Sequence, residues 1–331
     1  MGVLLQPSVQ GVVRATKRQW FTCKSCRCEA DAPSGTERAR LLICRKCFGR
    51  GKDKRPRELN ELTGAEWARS SKSVETYPDT RTQKQRVHGA CFPESLARAQ
   101  INIFTRKGDT VFDPFAGVGT TLDAAVALGR KAIGIDISSK YVRVSRKDLL
   151  AKGYSEGKDF KVYTTDARQA LKFVRPRSVD FVLTSPPYSA LLKNVKGHFA
   201  YKWREHSLID PVQNPRPYSA KREDLGNMPH AQYIASVSEV MAATFEILKH
   251  ECYAAWVVKD FRDLKNRLPY VNLHSQIIDC AENAGLVLWD IRIFDQTKFR
   301  PLVCLGFPSR NFYLNIGHSY ILVFKKLSAR T

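Results

Sequence analysis

Phe112-Asp113-Pro114-Phe115-Ala116-Gly117-Val118-Gly119-Thr120-Thr121 closes a short apolar run and opens a helical one, so it reads as a strand, a glycine loop and a helix start. Glycines at 117 and 119 let the backbone turn tightly and approach a ligand without Cβ interference. A dinucleotide fingerprint needs a third glycine where Leu122 stands, which disfavours a bound dinucleotide. No G-x-x-x-x-G-K-[ST] run occurs, which excludes a P-loop nucleotide hydrolase. Seventeen residues after Gly119, Ala132-Ile133-Gly134-Ile135-Asp136 ends a second strand on a carboxylate. At that spacing an acid accepts hydrogen bonds from two ribose hydroxyls. The plainer reading is a turn glycine pair and an ordinary strand-end acid. The order strand, loop, helix, strand, acid favours the ligand site.

On both sides of this unit, apolar runs alternate with helical periods. Strands are expected at Thr110–Asp113, Lys131–Asp136, Lys161–Thr164, Val179–Thr184, Cys252–Lys259, Leu286–Phe294 and Ser319–Phe324, with helices near 120–129, 138–151, 229–249 and 271–284. Seven strands with interleaved helices predict an α/β fold, a Rossmann-like doubly wound sheet with its ligands at the carboxyl ends of the strands. Residues 189–228 break the pattern with about forty residues rich in Pro, Lys, Arg and aromatics, and a loop that long inside a domain is usually functional.

Thr184-Ser185-Pro186-Pro187-Tyr188 ends the fourth of these strands. Adjacent prolines hold the backbone extended and leave carbonyls free as acceptors. Ser185 and the Pro186 carbonyl can accept from an amine while Tyr188 stacks on its ring. Alone, the run reads equally as a turn or a proline-rich ligand. At the carboxyl end of a strand in the same sheet, it converges with the glycine loop on one cleft.

D-P-F-A-G-x-G-T-T, the following G-I-D and T-S-P-P-Y together resemble the S-adenosylmethionine-dependent amino-methyltransferases of DNA. His88-Gly89-Ala90-Cys91-Phe92-Pro93-Glu94 is similar to that family's H-P-A-x-F-P-E segment, and His318-Ser319-Tyr320-Ile321-Leu322-Val323-Phe324-Lys325 to its H-E-Y-I-L-V-F strand. The likeness covers roughly residues 70–327. It implies S-adenosylmethionine held by Phe92, Asp113, Phe115, Gly117, Gly119, Thr120 and Thr121, with Asp136 on the ribose and Asp166 near the adenine amine; a plain helix cap is the other reading of Asp166. It also implies that Ser185, Pro186, Pro187 and Tyr188 hold a flipped base whose exocyclic amine takes the methyl group. Serine opening that motif suggests N4 of cytosine, whereas aspartate more often goes with N6 of adenine; an amine on RNA and a non-catalytic nucleic-acid-binding protein are the further alternatives. Cytosine C5 methylation requires a Pro-Cys pair, which is absent. The cofactor motif precedes S-P-P-Y, the reverse of many relatives, and no separate carboxyl-terminal recognition domain is expected. DNA contact is therefore assigned to the 189–228 loop (His198, Tyr201, Trp203, Arg204, Arg216, Lys221 and Arg222), to the amino-terminal zone, or to both. A cognate restriction nuclease is a compatible partner.

The chain has 331 residues, with 54 Lys and Arg against 32 Asp and Glu, a net charge of +22. Such a charge points to a polyanionic partner, nucleic acid first and an anionic membrane a distant second, and does not read sequence; double-stranded DNA is what the resemblance implies. No apolar run is long enough for a membrane span and no secretion signal is evident, so a reducing cytoplasm is the expected setting. Five of the nine cysteines lie within 25 residues. Cys23-x-x-Cys26 and Cys44-x-x-Cys47, with Cys28 as a spare, have the spacing of a zinc ribbon in which two knuckles hold one structural Zn²⁺. Residues 1–60 carry 14 Lys and Arg against 5 Asp and Glu, so this module either touches DNA or only braces the fold. The expected domains are a zinc-ribbon-like module at 1–50, a basic linker at 51–87 that partly wraps the next domain and has one amphipathic stretch from Leu59 to Trp67, and a methyltransferase domain at 88–331.

Overall fold

A computed structural model of the chain describes residues 18–24, 29–42, 44–45, 59–78, 82–88, 91–188, 219–263, 267–298, 310 and 312–328. The chain divides into two compact units, residues 1–58 and 59–331. In the smaller unit, β1 (Arg18–Thr22) and β2 (Glu29–Pro33) form an antiparallel ladder from Arg18 opposite Pro33 to Thr22 opposite Glu29. The helix α1 (Glu37–Leu41) follows, capped by Thr36 Oγ1, which accepts the Ala39 N–H. Cys23, just after β1, and Cys44, after α1, are buried together, and the Cys44 N–H donates to Cys23 Sγ at 3.2 Å.

The larger unit opens with α2 (Gly64–Ser70), the two-residue strand β3 (Val74–Glu75), α3 (Gln83–His88) and α4 (Glu94–Phe104). Then come β4 (Thr110–Asp113), α5 (Thr120–Ala127), β5 (Lys131–Asp136), α6 (Ser139–Ala151), β6 (Phe160–Thr164), a 3-10 turn at Ala167–Lys172 and β7 (Val179–Thr184). A second 3-10 turn (Leu225–Asn227) leads to α7 (His230–Ile247) and β8 (Leu248–Val258). The chain ends with the short strands β9 (Phe261–Asp263) and β10 (Leu268–Val271), α8 (Leu273–Asn283), β11 (Val287–Asp295) and β12 (His318–Lys325).

The main sheet has the order β3-β11-β12-β8-β7-β4-β5-β6. From β6 to β8 all neighbours are parallel; β12 lies antiparallel between β8 and β11. The seven expected strands are all present, and β3 adds a parallel edge at Val74 and Glu75. Strand order reverses at β4, whose neighbours β5 and β7 leave it on opposite sides, the arrangement that opens a crevice at the strand ends. Helices cover both faces. One core packs α7 and α8 on Val182, Ala254 and Trp256; the other packs α4, α5 and α6 on Val111, Phe181 and Ala255. Burial on both faces explains why β7 reads as an apolar run with little alternation. In α7 the buried Tyr233, Val237, Val240, Met241, Thr244 and Ile247 recur at three and four residues, which sets its inward stripe.

From Leu59 onward the basic segment is packed against the sheet domain and belongs to the larger unit. Asn60 Nδ2 donates to the Ile103 carbonyl at 2.7 Å, and Tyr77 is buried against Phe294 in the second core. Arg292, itself buried, donates to the carbonyls of Ser70 and Lys72 and to Gln100 Oε1. These anchors are single side chains spaced through polar sequence, so they leave no periodic trace. The Leu59–Trp67 stretch is not an amphipathic helix: α2 buries none of its residues and begins on a capping box between Thr63 and Glu66. Residues 189–218 lie outside the described residues, together with His198, Tyr201, Trp203, Arg204 and Arg216. Residues 219–228 pack into the domain through the buried Leu225.

Two glycines allow the close approach of loop, helix and sheet. A Cβ on Gly134 would lie 2.9 Å from Ala116 and Leu122, and Gly119, at φ +85°, would drive one into the Ser145 hydroxyl. Gly119→Ala is expected to destabilise the protein by about 2–4 kcal/mol, from left-handed strain plus overpacking. Adding Ser145→Gly should restore only the packing part, as read from urea unfolding midpoints.

Candidate active site

Asp113 ends β4 and is wholly buried. Its Oδ1 accepts from the Thr184 hydroxyl at 2.6 Å and the Phe115 N–H at 3.0 Å, and its Oδ2 accepts from the Thr121 hydroxyl at 2.6 Å. One carboxylate therefore joins the end of β4, the first turn of α5 and the last residue of β7. Desolvation pushes its pKa up to about 6 against the pull of those three donors. Thr184 directly precedes Ser185, so the bond sets the S-P-P-Y segment beside the glycine loop.

The glycine loop is stitched to β5. The Ala116 N–H donates to the Ile135 carbonyl at 2.8 Å and the Gly117 N–H to Asp136 Oδ2 at 2.8 Å. Asp136 Oδ1 accepts the Ser138 N–H at 2.8 Å. Burial raises the Asp136 pKa to about 6; the two backbone donors oppose the rise, and the nearby Asp113 and Asp224 add to it. Each Asp136 oxygen has one backbone donor and can take another from a hydroxyl.

Phe92, Asp113, Phe115, Gly117, Thr120, Thr121, Asp136, Asp166, Ser185, Pro186, Pro187 and Tyr188 line one cleft open to solvent. Gly119 is not on its wall; it is the α5 N-cap, and α5 begins without a side-chain cap. Thr120 and Thr121 therefore do not cap the helix. Thr120 Oγ1 accepts from Gln85, and Thr121 serves Asp113. Asp166 does cap its 3-10 turn, accepting the Arg168 N–H, and the Arg168 guanidinium grips it at 2.6–3.1 Å while the residue still faces the cleft.

Several lining residues carry no sequence signal as site residues. Asp224 is buried, accepts from Ser219 Oγ and the Gly226 N–H, and faces the cleft beside Leu225. An Asp two residues before a glycine signals a turn, not a ligand. Lys221 donates to the Ile137 carbonyl at 3.0 Å, so residues 219–228 close the Asp136 side of the cleft. Behind the wall, the buried Gln85 donates to Thr120 Oγ1 at 3.0 Å and to the Phe92 carbonyl at 3.4 Å. The neighbouring Lys84 bonds to Asp123 and, at 2.5 Å, to Asp148, fastening α3 to α5 and α6.

The cleft thus combines four carboxylates with an apolar wall that includes Phe115, whose ring meets Trp256 edge-on at 6.1 Å. Acid for ribose hydroxyls, carboxylates for a cationic centre and apolar surface for a base fit a nucleoside sulfonium such as S-adenosylmethionine. In the smaller unit Cys23 and Cys44 lie together, while Cys26, Cys28 and Cys47 lie outside the described residues. Among the described residues no three His, Cys, Asp or Glu side chains converge as a metal set. His230 and His274 are satisfied by Gln276 and Asp260.

Residues 17–147 match the family model described as DNA methylase. The chain is 40% identical over 93 residues to the type II methyltransferase M.BglI of Bacillus subtilis, covering 28% of this chain and 26% of that protein. It is 33% identical over 153 residues to the DNA adenine methyltransferase YhdJ of Escherichia coli, covering 45% and 47%. A tRNA (guanine(10)-N2)-dimethyltransferase of Methanocaldococcus jannaschii is 34% identical over 110 residues, 30% of each chain. The matches span between about a quarter and a half of these relatives' lengths. The likeness is to the S-adenosylmethionine-dependent DNA amino-methyltransferases, as the motifs implied. No described helix is long and apolar enough to cross a membrane.

A carboxyl whose pKa rises on folding contributes stability below its unfolded value near 4, and that contribution is lost as pH climbs through 6. Asp113→Asn should therefore flatten the stability profile between pH 4 and pH 7. The difference from wild type should shift in the variant's favour across that window by on the order of 3 kcal/mol. Denaturant titrations at half-unit pH steps measure it; parallel profiles would disprove the assignment.

Proposed function

We propose that the chain is an S-adenosylmethionine-dependent DNA methyltransferase that methylates an exocyclic amine, with N4 of cytosine as the target. The observation that carries this reading is the convergence of the glycine loop, Asp136 and Ser185–Tyr188 on one cleft, joined through Asp113. Serine at 185 favours cytosine. The relatives act on more than one kind of target by their names, so N6 of adenine remains the alternative base.

S-adenosylmethionine, when bound, supplies a methyl group on a positively charged sulfur. Asp136 would hold the ribose through its two oxygens, and Asp166 and the apolar wall would hold the adenine end. Backbone N–H groups at the start of α5 and the segment at Phe92 would take the methionine end. Ser185 Oγ and the Pro186 carbonyl accept the target N–H bonds and keep the nitrogen lone pair aimed at the methyl carbon. Tyr188 stacks on the base, which has to leave the duplex to arrive there. The bound cofactor would supply the methyl group to that nitrogen, whose surplus proton would pass to water, and no covalent enzyme intermediate would be required.

Nucleoside mass spectrometry of unmethylated genomic DNA incubated with protein and S-adenosylmethionine should reveal N4-methylcytosine. N6-methyladenine instead would overturn the reading of Ser185 and keep the mechanism. Tyr188→Ala and Ser185→Ala should each lower the rate by at least about 10²-fold while leaving cofactor affinity within a few-fold; wild-type rates would misplace the site.

The Cys23 and Cys44 pair supports a zinc ribbon in the smaller unit, with Cys26 and Cys47 as the other two ligands. A backbone N–H donating to a cysteine sulfur, as Cys44 does to Cys23, suits a thiolate, which is the form zinc binds. Metal analysis of protein purified without chelator should give one zinc per chain, and Cys23→Ser should lose it; a metal-free wild type would end this reading.

A further inference from the structure

Strand β8 pairs Trp256 with Thr184, continues to Val258, and then turns through Lys259 and Asp260 to Phe261. The Phe261 ring meets Tyr188 edge-on at 6.3 Å. A base held on Tyr188 would therefore meet this turn next. From Phe261 the chain forms the β9–β10 ladder, a separate two-stranded sheet at the carboxyl end of β8.

The base of this hairpin is held firmly. Asp260 is buried and accepts from the Tyr270 hydroxyl at 2.7 Å, His274 Nδ1 at 2.8 Å and the His274 N–H at 3.0 Å. A carboxylate only accepts, so Nδ1 carries the proton. The His274 ring stacks on Tyr320 at 4.0 Å, which ties the turn to α8 and β12. Farther out, Arg262 donates to the carbonyls of Pro269 (2.7 Å) and Leu314 (2.8 Å), and its guanidinium lies 5.4 Å from the Tyr270 ring and 5.1 Å from that of Tyr313. Arg262 thereby pins the hairpin to the segment that leads into β12.

This braced wall turns apolar side chains to water. Leu268 is 46% exposed, Tyr270 44%, Phe312 61% and Leu314 75%. Holding large apolar groups out of the core brings no folding gain, and contiguous ones mark a contact surface. Arg267 is an exposed cation within the hairpin, and Lys298, past the end of β11, and Arg310, two residues before Phe312, are exposed as well.

We propose that this wall, the β9–β10 hairpin pinned by Arg262 to residues 312–316, is a docking face for DNA beside the target-base site. Tyr270 and Phe312 offer stacking surfaces to bases disturbed by extrusion of the target, and the flanking cations meet phosphates. The choice of DNA rests on the methyltransferase reading above. The wall lies outside the 189–228 loop and the amino-terminal module, where the sequence led DNA contact to be expected.

Fluorescence anisotropy of a labelled DNA duplex, with S-adenosylhomocysteine present, measures docking without turnover. The double variant Phe312→Ala/Leu314→Ala should weaken DNA binding by about 10-fold or more, with unchanged S-adenosylhomocysteine affinity and melting temperature. Trp289→Ala removes an equally exposed aromatic from the amino-terminal edge of the sheet and should leave binding unchanged. Wild-type affinity in the double variant overturns the proposal. So does an equal loss in Trp289→Ala, or a wild type that binds structured RNA and no duplex DNA. If wild type docks DNA through this wall yet transfers no methyl group, the activity reading fails and the wall stands.

Discussion

The site depends on a buried carboxylate that faces no cation among the described residues. Asp113 lies at the end of the central strand and accepts from two hydroxyls and one backbone N–H. In so dry a place each of those bonds is stronger than it would be in water, and each unmade one would cost more. The bond to Thr184 spans 71 residues of sequence and joins adjacent strands at the level where both chains leave the sheet. Removing the carboxylate would leave Thr121 and Thr184 buried with a lost partner. The raised pKa of Asp113 records what this arrangement costs in desolvation.

Around that pivot the glycine-loop half of the cleft is built in layers. Asp136 and the Ile135 carbonyl hold the glycine loop from one side through backbone donors. Gln85 holds Thr120 and the Phe92 carbonyl from the other, and the Lys84 ion pairs fasten Gln85's own helix to α5 and α6. The residues that line the cleft are thus second in a chain of contacts whose first members sit out of reach of any ligand. Residues 219–228 complete the wall through Lys221 and Asp224.

The opposite half is assembled from distant segments. Tyr188 meets Phe261 from the turn after β8, Asp260 joins that turn to α8, and Arg262 joins the hairpin to residues just before β12. The glycine-loop side combines backbone donors on Asp136 with buried side-chain bonds to Asp113 and Thr120, which tolerate little variation. The Tyr188 side is built from side-chain pins between loops, which can change without disturbing the sheet.

The sheet was legible in the sequence because parallel strands buried on both faces leave apolar runs and their crossover helices leave a 3.6-residue period; Thr110–Asp113, Lys131–Asp136 and Val179–Thr184 have the expected bounds. The two motifs and the acid at 136 were legible because backbone turns and strand ends demand particular residues at fixed spacing. The contacts that fix residues 59–88 were not, since Asn60, Tyr77 and Gln85 act through isolated long-range contacts in polar surroundings. For the same reason Asp224 and the Asp260–His274 and Arg262 contacts left no mark along the chain. Sequence alone determined which local backbone shapes this protein can adopt and which chemistry they carry. Only the tertiary structure decided which side chains meet across 40 to 220 residues, because a single hydrogen bond at that separation constrains two positions and imposes no pattern on those between.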